Sequence, residues 1–167
     1  MSDVQDLCSS PAIPAMTVPQ ARILHRMRET PRDPGRDTPW LALAHPPDAP
    51  VTAALKGGLA PWQVRKVRRH IVDHLDQGLP IARLAALLGV SPGHFCRAFK
   101  ASFGQSPHSY ITRLRIRQAQ YLMLNSPDPL GAIAPACGFT DQPHLTRMFR
   151  KMTGHTPRRW RRLHTTP

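Results

Sequence analysis

His94–Tyr110 reads H-F-C-R-A-F-K-A-S-F-G-Q-S-P-H-S-Y, and fifty residues later His144–Trp160 reads H-L-T-R-M-F-R-K-M-T-G-H-T-P-R-R-W. The two stretches are one pattern written twice. His94 pairs with His144, Phe95 with Leu145, Arg97 with Arg147, Phe99 with Phe149 and Lys100 with Arg150. Further on, Gly104 pairs with Gly154, Ser106 with Thr156, Pro107 with Pro157 and Tyr110 with Trp160. Upstream the offset drops to forty-nine: Leu84 pairs with Ile133, Ala85 with Ala134, and Gly89-Val90 with Gly138-Phe139. A supersecondary unit therefore occurs twice, with one extra residue in the turn of the second copy. Two copies are too few for a solenoid, so the repeat implies a pseudo-symmetric pair.

Within each copy the punctuation is helical. A short apolar segment over 81–88 places Ile81, Leu84, Ala85 and Leu88 on one side, and Gly89 ends it as a residue that tolerates positive φ. Ser91 is a good N-cap, and Pro92 fits the first turn after it. The next helix runs to about Phe103 and is closed by Gly104. A short helix, a glycine turn and a second capped helix make a helix-turn-helix. Small Ala85 lets the second helix cross closely. In that second helix Phe95, Ala98, Phe99 and Ser102 or Phe103 face inward. Gly93, Cys96, Arg97 and Lys100 recur at helical spacing on the other side, and a stripe of that kind suits the major groove. A solvated face would also be basic, but the second copy keeps Arg147 and Arg150 in the same places, which favours the groove.

The remaining helices follow from the same signals. A first helix is expected over 61–76, with Val64, Val67, Ile71 and Leu75 inward and Arg65, Lys66, Arg68 and Arg69 outward. His70 and His74 share its face at a spacing zinc ligands use, but no third ligand is in view. Ser106-Pro107 opens a helix reaching about Asn125, some ~28 Å long at ~1.5 Å per residue. Its Arg113, Arg115 and Arg117 alternate with Leu114 and Ile116. A fifth helix is expected from about Pro129 to Cys137. Pro135 would cost it the bond to Gly131, so the spacing predicts a late start or an irregular helix. Thr140 is expected to cap the sixth helix, with Pro143 in its first turn. Leu145, Met148, Phe149 and Met152 should face inward, and His144, Arg147 and Lys151 outward. Pro157 begins a last short helix with Trp160 inward among Arg158, Arg159, Arg161 and Arg162.

The chain has 167 residues and a net charge of +13. Residues 1–59 hold six Lys/Arg against six Asp/Glu, so the whole excess lies in 60–167. A basic domain of that size points to a polyanion, nucleic acid before membrane surface. Residues 1–59 carry nine prolines, too many for a packed core, and are expected to be largely disordered. Residues 21–29 offer two helical turns, and Trp40-Leu41-Ala42-Leu43 a small apolar island. The three cysteines, Cys8, Cys96 and Cys137, form no C-x-x-C pair and fit a reduced, cytoplasmic protein. The acidic start M-S-D-V-Q-D is no signal peptide, and no apolar run approaches the ~18 residues of a membrane span.

These residues resemble the AraC/XylS family of bacterial transcription regulators. The run I-A-x-x-x-G-F-x-x-x-x-H-L-x-R-x-F-R-x-x-x-G-x-T-P within 130–159 is similar to the family's C-terminal signature, and S-P-G-H-F-C-R-A-F-K-A-S-F-G-Q-S-P matches its first helix-turn-helix. The resemblance covers about 60–163. It implies an all-α domain of two helix-turn-helix subdomains joined by a long linker helix, with both recognition helices in successive major grooves of double-stranded DNA. A linker of ~28 Å is compatible with one helical repeat of ~34 Å. The family's base-reading positions fall on Gly93, Cys96 and Arg97, and on Pro143, His144 and Arg147. Lys100, Gln142 and Lys151 flank them as further DNA-binding candidates. Arg97 and Arg147 suit guanine, and His144 can donate to or accept from a base edge, whereas Gly93 and Pro143 lack a useful polar side chain. Ser91, Ser106, Thr140 and Thr156, at helix starts, are phosphate-contact candidates, although capping alone would also place them there. If either unit reads DNA loosely, Pro143 and the packing behind Pro135 make the second the suspect.

The expected function is a sequence-specific regulator that activates or represses a bacterial promoter, bound as a monomer in the nucleoid with RNA polymerase as protein partner. Many family members carry a β-rich sensory domain before this part. The Pro-rich 1–59 cannot form one, so no small-molecule effector and no cofactor are expected. The alternative is a basic architectural protein with little sequence preference. No H-E-x-x-H, P-loop, G-x-S-x-G or paired carboxylates appear in the domain, so catalysis is not expected. Oxidation of Cys96 would put bulk and charge on the groove face, but a small filler is the simpler role.

Overall fold

The computed structural model describes residues 57–164. The expectations for the earlier chain, including disorder, the turns at 21–29 and the island at 40–43, lie outside the described residues. Those described residues hold seven helices and no strand: α1 Pro61–Asp73, α2 Ile81–Leu87, α3 Pro92–Phe103, α4 Pro107–Asn125, α5 Leu130–Ala136, α6 Gln142–Thr153 and α7 Pro157–His164. The expected two helix-turn-helix subdomains are present as α2–α3 and α5–α6, and α4 is the long helix between them.

Helix α1 starts where proline costs least, and the Ala60 amide donates to the Gln63 side chain at 2.9 Å. It is shorter than expected. His74 already leaves the helical region at φ −126°, although Leu75 beyond it is still buried. Leu59, placed before the domain in the sequence reading, is part of the core, and its amide donates to the Ser102 hydroxyl at 2.7 Å. Burial of Leu59 explains why Ser102 lies inward.

The apolar side chains form two cores. The first gathers Val64, Val67 and Ile71 of α1, Leu84 and Ala85 of α2, Phe95, Ala98 and Phe99 of α3, and Tyr110, Ile111 and Leu114 of α4. The second gathers Ile116, Ala119, Leu122 and Met123 of α4 with Ile133, Ala134, Phe139, Leu145, Phe149 and Trp160. Helix α4 thus serves both, and its Tyr121 packs against each. Every fully buried aromatic of this kind contributes ~1.5–3 kcal/mol by removal from water.

Three further expectations need correction. Helix α5 starts on time at Leu130 with Pro135 inside it. Pro135 stands one residue from the end, so it costs only the bond to Gly131, an exposed residue, and its own carbonyl still accepts from Gly138 N at 2.9 Å. The α6 cap is Asp141, not Thr140: its carboxylate accepts from His144 N at 2.6 Å. Thr140 lies one residue further out, because the extra residue of the second copy falls before the cap. Met152 is exposed at 44% rather than inward, while Met148 packs against the second core.

Candidate nucleic-acid interface

Each recognition helix is anchored from behind by aromatics and capped at both ends. In α3 the Ser91 hydroxyl accepts from His94 N at 3.3 Å, and Gly104 closes the helix at φ +69°. In α6 Asp141 and Gly154 (φ +77°) do the same. Glycine holds the left-handed conformation at both ends without the steric cost a Cβ would add. The inward rows, Phe95-Phe99 and Leu145-Phe149, are fully buried, and so the opposite rows are fixed outward.

On α3 that outward row presents Gly93, His94, Arg97 and Lys100, all exposed. Cys96 departs from the expected stripe. It is half-buried and packs against the first core, which fits the role of a small filler. On α6 Gln142, Pro143, Arg147, Arg150 and Lys151 are exposed, and His144 and Thr146 are half-buried. Pro143 sits in the first turn, so its missing amide costs nothing and the helix is not loosened. Gln142, Pro143, Thr146, Arg147, Arg150, Lys151 and Thr156 line an open concavity of about 790 Å³. Four of the expected site residues of the second unit, Gln142, Pro143, Arg147 and Lys151, are therefore brought together with Thr156. Arg150 and Thr146 join them. Arg150 was legible as the repeat partner of Lys100; nothing in the sequence singled out Thr146.

His144 is held firmly. Its ring meets Phe139 edge-on at 5.3 Å, and its Nδ1 lies 3.4 Å from the Thr140 hydroxyl. Burial lowers its pKa, helped by Arg147, Arg115 and His108 and opposed by Asp141. This favours the neutral imidazole, which has one nitrogen that donates and one that accepts. His94, its partner in the first unit, is exposed.

The hydroxyl candidates all stand at helix starts and all are exposed. Ser91 and Thr156 accept backbone amides, from His94 and from Arg159 at 3.4 Å, which leaves each hydroxyl proton for a phosphate oxygen. Ser106 accepts from Ser109 N and also donates to Ser109 Oγ at 2.9 Å, so its proton is already committed. Thr140 contacts His144 rather than capping. In α1 the rings of His70 and His74 stack at 4.3 Å, and among the described residues no group of three possible metal ligands occurs. No helix among the described residues is long and apolar enough to cross a membrane.

Two capped helices with outward arginines, each backed by a shorter helix across a glycine turn and joined through one helix, define a double helix-turn-helix of the DNA-binding class. Residues 84–163 match a family model described as a helix-turn-helix domain. The probable transcriptional regulator LumQ of Photobacterium leiognathi is 29% identical over 114 residues, which span 64% of this chain and 46% of LumQ. The C-terminal domain of AraT, a response regulator from Geobacillus stearothermophilus, superposes with a TM-score of 0.61 at 31% identity, covering 65% of this chain and 90% of that one. The DNA-binding domain of AdpA, a global transcriptional factor solved with a target DNA, superposes with a TM-score of 0.59 at 27% identity, covering 61% and 92%. The chain belongs to the AraC/XylS family, a family of DNA-binding transcription regulators rather than enzymes. It spans less than half the length of the curated relatives it matches.

Proposed function

We propose that the protein is a sequence-specific transcription regulator of a bacterial promoter, placing α3 and α6 in successive major grooves on one face of the duplex. The observation that carries this is the duplication itself. Arg97 and Arg147 occupy the same outward position on two helices tied to one linker helix, α4. Each arginine can form a bidentate pair with guanine, worth ~1–3 kcal/mol of discrimination. His144 and Gln142 supply further base-edge contacts; Lys100, Arg150 and Lys151 meet phosphates, as do the hydroxyls of Ser91 and Thr156. The likeness to a domain solved on its target DNA supports the same use here.

In this reading residues 60–163 together with Leu59 are the DNA-reading domain, and the chain before it brings no small-molecule effector. The protein acts as a monomer on DNA in the cytoplasm, within the nucleoid, activates or represses a nearby promoter, and engages RNA polymerase there without an effector. Footprinting in competitor DNA tests it, because nonspecific phosphate binding weakens steeply by ~150 mM salt while a specific complex persists. A discrete protected site is the expected result. Uniform loss of protection at every sequence would favour the architectural alternative. Isothermal titration that found a small ligand for the 1–59 region would end the effector-free part.

A further inference from the structure

We propose that Arg115 and Gly138 lock the two helix-turn-helix units at one fixed separation, so that this joint decides which spacing of half-sites the protein accepts. The proposal rests on the reading above, that both recognition helices engage DNA at once.

The two cores are separate clusters, and α4 passes from one to the other between Leu114 and Ile116. Arg115 stands at that crossing. Its Nε donates to the Leu75 carbonyl at 3.0 Å and its Nη2 to the Gln77 carbonyl at 2.7 Å. Both acceptors lie just past the end of α1, where helix carbonyls run out of amide partners and a cation is favoured. A planar guanidinium can hold two carbonyls at once; a single ammonium cannot hold them in the same way.

The second unit closes the joint from the other side. A Cβ on Gly138 would come within 2.5 Å of the Leu75 carbonyl oxygen and 2.8 Å of Arg115 Cζ and Nε. The turn of the second helix-turn-helix therefore rests directly on the exit of α1, a part of the first unit. The repeat supplies the control. Gly89 holds the same place in the first unit with φ +68° against +78°, yet a Cβ there would meet nothing within 4 Å. Both turns need glycine for their backbone. Only Gly138 also needs it for contact between units. A rigid joint matters on DNA because one added base pair rotates a half-site by ~34° and moves it by ~3.4 Å.

The test uses the full chain and a duplex selected by it from random DNA, with one base pair then inserted or removed between the two halves. Binding is followed by fluorescence anisotropy at fixed salt. The wild type should lose about tenfold or more on either change, as for a mismatched half-site, while Arg115→Met and Gly138→Ala should lose only about threefold. Gly89→Ala, which carries the backbone strain without the joint, should keep the wild-type penalty. Arg115→Lys keeps the charge and one carbonyl bond, should fall between, and serves if Arg115→Met does not fold. The same spacing penalty in wild type, Arg115→Lys and Gly138→Ala would overturn the proposal. Should the wild type select no sequence at all, the functional reading fails instead, and residual dipolar couplings of the free chain decide the joint. One alignment tensor for both units in the wild type and two in Arg115→Lys are expected; one shared tensor in the variant would overturn it.

Discussion

In the first unit Phe99 meets Tyr110 edge-on at 5.5 Å, and in the second Phe149 meets Trp160 edge-on at 5.8 Å. The aromatic pair behind each recognition helix is thus the same device. Around it the units diverge. Phe103 stacks on Phe99 at 4.1 Å in the first; its partner Thr153 instead donates to the Phe149 carbonyl at 2.9 Å. The outward face diverges the other way. The first unit offers Arg97 and Lys100 with an exposed His94, and the second offers Arg147, Arg150 and Lys151 around a concavity with His144 wedged on Phe139. The difference teaches that a duplicated core preserves the position of a helix, while the groove face is free to change. The first unit has the richer set of ring contacts and the second the more exposed cations on its groove face, so the second should contribute more to base recognition.

The largest effects should be on stability and should be shared by both units. Phe99→Ala and Phe149→Ala should each cost ~3–5 kcal/mol in urea unfolding, with Phe99→Ala at the upper end because three rings surround it. A loss below ~1 kcal/mol in either would break the equivalence of the two aromatic pairs.

Next come the arginines. Arg147→Ala should weaken binding to a selected duplex by ~2–3 kcal/mol and Arg97→Ala by ~1–2 kcal/mol, each relaxing preference at its own base. Binding titrations that showed the reverse order would remove the claim that the second unit reads more tightly. The caps should differ more mildly. Asp141→Ala should cost ~1–2 kcal/mol and Ser91→Ala ~0.5–1 kcal/mol, because the 2.6 Å contact is to a carboxylate at a helix N-terminus and the 3.3 Å contact is to a hydroxyl.

The smallest effect is on pH dependence. His144 and His70 both have lowered pKa values, burial being the main cause in each. The unfolded chain therefore takes up protons near pH 6.5 before the folded one does, and stability should fall as pH drops below about 6.5 and be flat above it. Thermal unfolding between pH 5 and 8 should show this slope, and His144→Gln should reduce it. A slope unchanged in His144→Gln would show that His144 is not held as its contact with Phe139 suggests.

Much of this was legible in the chain. The period near fifty residues, the glycine turns and five of the seven helix starts carried the fold, because each rests on local backbone chemistry; the starts of α5 and α6 needed correction. Pro107–Asn125 appears over the range that its pattern predicts. What stayed hidden was set by contacts between distant residues. Arg115 reads as one of three alternating arginines until the Leu75 carbonyl, forty positions away, is seen to accept from it. Leu59 looked like linker because nothing local marks its burial. Thr140 and Asp141 are both good caps, and only the fifty-residue offset from Ser91 separates them. Met152 shares the inward spacing of Phe149, but its repeat partner Ser102 faces Leu59, and among the described residues Met152 remains exposed.

The central claim is that both units read DNA together from one rigid frame. Selection of bound duplexes from a random pool by the full chain at ~150 mM salt tests it most directly. The account predicts two clusters of preferred bases whose centres lie about one helical turn, ~10 base pairs, apart, with guanine in each and the sharper preference in the half read by α6. A single cluster, or enrichment without any preferred bases, would contradict it.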